Sequence, residues 1–248
     1  VGTVSGTSIS FGSEVVFNSG TTNEHTSCAY DTTNQKVVIA YRDEGNSNRG
    51  TAIVGTVSGT SISFGSEVVF NSASTEYISS TYDSTNGKVV IAYMDGGNSN
   101  YGMAIVGTVS GTSISFGSEV VFNNAQPVYN SCTYDTTNQK VVIAYRDEGN
   151  SSSGTAIVGT VSGTSISFGS EVVFNGGVVT NYISAVYDST NGKVVIAYTD
   201  AGNSSYGTAI VGTVSGTSIS FGSEVVFQSG GTVDFISSAY DSANGKVV

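Results

Sequence analysis

The chain has 248 residues and carries 19 acidic against 8 basic side chains, a net charge of −11. Phosphate backbones and anionic membrane surfaces are held by clustered Lys and Arg, so this balance argues against nucleic acid and membrane partners. A composition with 32 Gly, one Pro and abundant Val, Ile, Thr, Tyr and Phe is one of strands and turns. It has no 3.6-residue apolar period and no run near the roughly 20 apolar residues of a membrane-spanning helix.

The first seventeen residues, VGTVSGTSISFGSEVVF, return unchanged at Val54, Val106, Val158 and Val211. The repeats are 53, 52, 52 and 53 residues long, and a last copy of 38 stops at Val248. Such a period in a strand-rich sequence predicts one supersecondary unit copied in a ring or an array. The chain opens without Met and stops inside a repeat, so it reads as a piece of a longer polypeptide.

Taken along the second repeat, the predicted elements follow one another about every 10 residues. Strand A, Tyr77 to Asp83, ends in the turn STNG. Strand B, Lys88 to Tyr93, is a dense β-branched run that leads into the polar loop Met94 to Gly102. Strand C spans Ala104 to Val109 and is followed by the turn SGTS. Strand D, Ile114 to Phe122, closes the unit. Four antiparallel strands repeated about five times predict the blades of a β-propeller. Strand A suits the crowded centre, because its middle carries only small residues. Strand D suits the rim, where its Gly-Ser pair predicts a bulge and its glutamate (Glu14, Glu67, Glu119, Glu171, Glu224) an edge charge that opposes aggregation.

The fold class expected is therefore all-β: one domain over 1–248, a five-bladed propeller closed by pairing strands C and D of the first copy with A and B of the last. About 15 residues of the motif are missing at that seam, which makes it the weakest part; an open solenoid or an array cut from a longer propeller is the alternative architecture. Cys28 and Cys132 occupy equivalent positions in the first and third repeats, too far apart for a disulfide, and are expected to be small buried thiols.

Strands B to D and the C–D turn hardly vary among the copies, whereas two loops vary freely. These are the D–A loops (NSGTTNEHT, NSASTEYI, NNAQPVYN, NGGVVTNYI, QSGGTVDFI) and the B–C loops (RDEGNSNRG, MDGGNSNYG, RDEGNSSSG, TDAGNSSYG). In an antiparallel blade both emerge on one face, and loops on a rigid scaffold are where recognition is placed. Five residues before the strand-A tyrosine stand His25, Tyr77, Tyr129, Tyr182 and Phe235, rings expected to circle the mouth of the channel as sugar-stacking contacts or as a plug. One residue earlier stand Glu24, Glu76, Val128, Asn181 and Asp234. The B–C loops add Arg42, Met94, Arg146 and Thr199, and then Arg49, Tyr101, Ser153 and Tyr206.

The repeat YDSTNGKVVIAY…GTAIVGTVSGTSISFGSEVVF resembles the blades of sialidase-like and lectin-like β-propellers, and near-identical arrays of it are similar to repeats of bacterial and phage surface proteins such as tail fibres. The resemblance covers the whole chain and implies architecture more than activity, since five-bladed relatives include both sugar-binding lectins and glycoside hydrolases. Sialidase chemistry needs an arginine triad, and the chain offers only Arg42, Arg49 and Arg146, two of them at equivalent positions. One histidine gives no His-based metal cluster, the Asp-Ser-Thr-Asn-Gly turns lack the alternating ligands of a calcium loop, and no nucleophile or phosphate motif is present. No metal and no cofactor is expected. The function expected is non-enzymatic recognition of glycans or other surface ligands, by a monomeric propeller outside the cell or on a virion or cell surface. The alternatives are a glycosidase using Glu24, Glu76 and Asp234, whose carboxylates would need to flank a sugar bond, and a structural spacer without ligand.

Overall fold

The computed structural model describes every residue except Thr21, with backbone alone for residues 22–24. The chain folds into antiparallel sheets built from the repeated strands, and no sheet closes on itself. Four units are complete. The third shows the plan: strand A is Pro127–Asp135, B is Lys140–Asp147, C is Ser153–Ser162, and D comes as two pieces, Ser165–Phe168 and Val172–Asn175. The fourth repeats it with Thr180–Asp188, Lys193–Asp200, Tyr206–Ser215, Ser218–Phe221 and Val225–Gln228. Strand D breaks at the expected bulge: in the first unit Phe64 pairs with Gly55 and Val68 with Ala52, so Gly65–Glu67 stand opposite only Ile53 and Val54.

The first two units are fused. One strand, Val68–Asp83, serves as the end of D in the first unit and as A in the second, which joins both into a nine-stranded sheet. The link there, NSASTEYI, contains neither Gly nor Pro, unlike the other D–A connections, so nothing breaks the extended backbone.

Burial explains why one repeat cannot stand alone. In the second unit Val89, Val90, Ile91, Ala92 and Tyr93 are all fully buried, because strand B is covered on both faces by neighbouring units. This is why its sequence is a continuous apolar run rather than an alternating one. Each core cluster spans two units; one joins Val90, Val106 and Phe122 of the second to Val141, Ile143 and Tyr145 of the third. Gly117 belongs to the same interface, since a Cβ there would lie 1.8 Å from the Thr164 carbonyl oxygen.

The strand-D glutamate does more than charge an edge. The strand-B tyrosine of each complete unit, buried to the last atom, donates its hydroxyl to that carboxylate: Tyr41 to Glu67, Tyr93 to Glu119 and Tyr198 to Glu224 at 2.6 Å, and Tyr145 to Glu171 at 2.7 Å. The strand-A serines bind the backbone of the next unit. The amides of Ser80, Cys132, Ala185 and Ser238 donate to the hydroxyls of Ser27, Ser79, Ser131 and Ser184, each at 2.9 Å. That contact gives the serine at this position of each strand A a structural role.

The two ends are hairpins, Gly2–Ser5 with Ser8–Phe11 and Tyr240–Asp241 with Lys246–Val247. Each is seated as an interior half-unit would be. Phe17 meets Tyr41 at 5.2 Å between ring centroids, as Phe70 meets Tyr93 at 5.1 Å. Tyr240 donates to Thr190 at 2.5 Å, as Tyr187 does to Thr137 at 2.6 Å. No ladder joins the two hairpins among the described residues. A complete B–C ladder pairs seven positions, and by the same register only Val247 and Val248 have counterparts, Gly2 and Val1.

Both cysteines are free thiols, and neither is buried as expected: Cys132 is half-buried and Cys28 exposed. Cys132 lies against Ser79 of the preceding unit, and burial pushes its thiol up to about 12. Cys28 is exposed, because it belongs to the first unit and has no complete unit ahead of it to cover it.

Candidate functional site

The variable loops do form one face, and they are bound to one another. The amides of Thr75, Thr180 and Val233 in the D–A segments donate to the carbonyls of Asn48, Ser152 and Ser205 in the B–C loop of the preceding unit. The amides of Gly96, Glu148 and Ala201, in B–C loops, donate to the carbonyls of Ser74, Gln126 and Val179 in the D–A segments that lead into their own units. Each B–C loop is anchored by a buried aspartate at the end of strand B: Asp95 accepts from the Gly97 amide at 2.8 Å, and Asp147 and Asp200 from Gly149 and Gly202 at 2.9 Å. The opposite face is built from A–B turns of one design. In each, an aspartate accepts two backbone amides and an asparagine side chain, as Asp83 does from Thr85, Asn86 and the Asn86 amide group.

On the variable face the strand-A bulge sets the site. Glu76 pairs with Met94 and Ser79 with Ala92, so Tyr77 and Ile78 together oppose Tyr93 alone. The same slip recurs at Val128/Ser131 and Asn181/Ser184. The extra residue is the aromatic one, and it takes left-handed backbone: φ is 50° at Tyr77, 56° at Tyr129, 49° at Tyr182 and 56° at Phe235. That region is costly for a residue with a bulky side chain, and a glycine would fill it without strain.

The rings meet. Successive centroids from His25 through Tyr77, Tyr129 and Tyr182 to Phe235 lie 5.0, 5.9, 5.1 and 5.0 Å apart, in edge-on or tilted contact. The Tyr77 amide donates to His25 Nδ1 at 3.1 Å. All five line one cavity of about 610 Å³, above a floor that includes Ile78, Asn130, Ile183 and Ile236. Ile78 and Ile183 are buried, whereas the tyrosines are half-buried and Phe235 is 84% exposed, so the rings form a rim rather than a core.

The charged and polar candidates are placed differently. Arg42 forms an ion pair with Glu76 at 3.3 Å and Arg146 donates to Asn181, in each case reaching from the end of a strand B to the next unit's strand A. Thr199 likewise donates to the Val233 carbonyl at 2.5 Å. Met94 and Val128 hold the matching positions at the second junction, and both are buried. The variable residues therefore change as matched pairs across unit boundaries. Arg146 also pairs with Glu148 and lies 5.1 Å from the Tyr129 ring centroid. Tyr101 and Tyr206 each begin a strand C, outside the cavity lining, and Tyr101 packs on the core between the first two units. Asp234 is exposed beside the mouth, and the side chain of Glu24 lies outside the described residues.

Among the described residues no group of three His, Cys, Asp or Glu is placed to hold a metal ion, and no helix is long and apolar enough to cross a membrane. Compared with known proteins, the chain matches no family model and no curated protein.

Proposed function

We propose that the chain is a five-bladed β-propeller, residues 1–248 forming one domain closed by the two terminal hairpins, and that it is a recognition module without catalytic activity. Its ligands are glycans or other surface groups, taken at the aromatic mouth by a propeller that works outside the cell or on a virion or cell surface. The observation that carries this reading is the convergence of the repeat-specific aromatics on one cavity, with Tyr77, Tyr129, Tyr182 and Phe235 on backbone that costs about 1–3 kcal/mol for a non-glycine residue. A spacer without ligand has no use for that strain. A glycosidase would need two carboxylates flanking a sugar bond, whereas among the described residues no Asp or Glu lines the cavity.

A glycan-array screen of the purified chain tests the reading. Tyr129→Ala and Tyr182→Ala should each weaken any ligand found by about 1–3 kcal/mol, the range of anchoring aromatics. Ser162→Ala, in the turn on the opposite face, should leave affinity unchanged. Binding that responds to Ser162 and ignores both tyrosines would overturn the assignment of the face, and hydrolysis of a glycan lost in Glu76→Gln would overturn the non-enzymatic reading.

A further inference from the structure

Two stretches of the repeat lie unpaired, one near each end of the chain. In every complete unit the second piece of strand D pairs with the start of strand C: Val68 with Ala52, Val120 with Ala104, Val172 with Ala156 and Val225 with Ala209. Residues 15–18 carry the same letters as that piece in the first three units, VVFN, yet lie in no strand. Val16 is 75% exposed, where Val69, Val121 and Val173 are 40–43%. At the other end, Ala239 of the fifth strand A exchanges two backbone hydrogen bonds with Val248 at 2.9 Å. Residues 233–238 before it lie in no strand, although their counterparts in the fourth unit belong to Thr180–Asp188. Unpaired strand edges are templates for another strand.

The side chains along these edges specify what fits between them. At each interior junction one strand-B tyrosine does two things. Its ring packs on a strand-D phenylalanine of the preceding unit, at 5.1–5.2 Å between centroids for Tyr41, Tyr93, Tyr145 and Tyr198. Its hydroxyl donates to the strand-D glutamate of its own unit. In the closing blade these two positions belong to Phe227 and Glu14. Phe227 is 56% exposed, against 4–7% for Phe70, Phe122 and Phe174, and Glu14 is exposed as well. Once the ring is closed, a single tyrosine serves both.

We propose that the seam is a docking slot for a β-hairpin presented by another polypeptide. Its first strand ends in Ile-Ala-Tyr and pairs along residues 233–238, and its second begins with Thr-Ala-Ile and pairs along residues 15–18. The interior register sets the first alanine opposite Ser237 and the second opposite Val15. The tyrosine packs on Phe227 and donates to Glu14. This is strand addition, in which main-chain bonds supply affinity and alternate side chains supply selectivity. The four complete units name the occupant, since a B–C hairpin of this kind covers the same two segments in each of them. Those four hairpins are paired within their own units, so the visitor is neither one of them nor its equal in a second folded copy. The slot goes beyond the glycan reading of the mouth and rests on the proposed ring closure alone.

The probe is a synthetic peptide with the sequence of residues 196–210, IAYTDAGNSSYGTAI, titrated into the intact chain and followed by amide hydrogen exchange. It should bind, and exchange should slow at Ser237 and within residues 15–18 together. Tyr198→Phe in the peptide and Glu14→Ala in the chain should each weaken binding about tenfold, the size of one charged hydrogen bond, and the two combined should weaken it no further. Absence of binding, protection of one segment without the other, or a Tyr198→Phe effect that persists undiminished in Glu14→Ala would overturn the slot. A chain that dimerises without peptide, with both segments protected, would give the edges to a second copy and overturn the hairpin. Closure is read separately, by oxidative cross-linking of Ser237→Cys to Cys28. A chain that cross-links within itself and ignores the peptide would overturn the slot and leave the ring standing, whereas failure of both would end both.

Discussion

Removing the carboxylate of Glu119 should leave the Tyr93 hydroxyl without its acceptor, 2.6 Å away, inside a side chain with no exposed surface. A buried donor left unsatisfied costs about 1–3 kcal/mol, so Glu119→Ala should lower Tm by roughly 2–12 °C in a chain of this size. Tyr93→Phe removes the donor, and the exposed carboxylate returns to water, so its loss should be smaller, about 0.5–1.5 kcal/mol. The two changes together should cost less than their sum, by about 1 kcal/mol in a double-mutant cycle. Glu14 provides an internal control, because it stands in the same seventeen-residue phrase, is exposed, and has no tyrosine partner among the described residues. Glu14→Ala should stay within about 0.5 kcal/mol of the parent. Alkali should act on the same bond. Burial first, then the hydrogen bond to Glu119, hold the Tyr93 hydroxyl above its ordinary value of 10.0. The folded chain thus keeps a proton that the unfolded chain gives up, and stability present below that value is lost as pH rises above it. Calorimetric melts between neutral and strongly alkaline pH measure both effects, and Tyr93→Phe should flatten the alkaline loss. Equal losses for Glu14→Ala and Glu119→Ala would refute the reasoning, since they would show the glutamate acting as an edge charge and not as an acceptor.

Two further outcomes follow from identical sequence in unlike surroundings. Gly117→Ala should destabilise by about 1–3 kcal/mol or more, since its Cβ would lie 1.8 Å from the Thr164 carbonyl, whereas Gly222→Ala should stay within about 0.5 kcal/mol, its nearest neighbour being 3.8 Å away; urea melts would decide it, and equal losses would refute the close approach. Ring closure should place Ser237 beside Cys28 as Ser79 stands beside Cys132, so Ser237→Cys should cross-link to Cys28 within one chain on oxidation, with Ser79→Cys and Cys132 as the matched control. Links at Ser237 that form only between chains, while the control links within one, would refute the closed ring.

The strand plan was legible because each strand ends in a residue whose chemistry is local. Asp83, Asn86 and Gly87 build their turn from their own side chains and backbone freedom, and strand B announces burial on both faces by its unbroken apolar run. The convergence of His25, Tyr77, Tyr129, Tyr182 and Phe235 was also readable, since aromatics at one register position of a repeat must share one radius. The tertiary partners were not. Nothing near Glu67 in sequence marks Tyr41 as its donor, and the left-handed backbone of Tyr77 is invisible because no glycine or asparagine signals it. Arg42 and Arg146 read as ligand contacts because they vary, and variation does not distinguish a residue that meets a ligand from one that meets its neighbour. The signal that could have separated them was the joint change of Arg42 with Glu76, Met94 with Val128 and Arg146 with Asn181, one repeat ahead.

Those matched pairs bear on how the chain finds itself during folding. Five copies of one seventeen-residue phrase, joined to nearly interchangeable A and B strands, offer many wrong partners of almost equal merit, because a strand of the second repeat lies as well against the fourth as against the third. Backbone ladders and valine contacts are blind to that error. Arg42 beside Val128, or Met94 beside Glu76, is not: the first strands a guanidinium against an apolar side chain, and the second leaves a carboxylate without its cation. The residues at these junctions thus work as addresses, telling each repeat which neighbour is its own in a sequence that otherwise says the same thing five times.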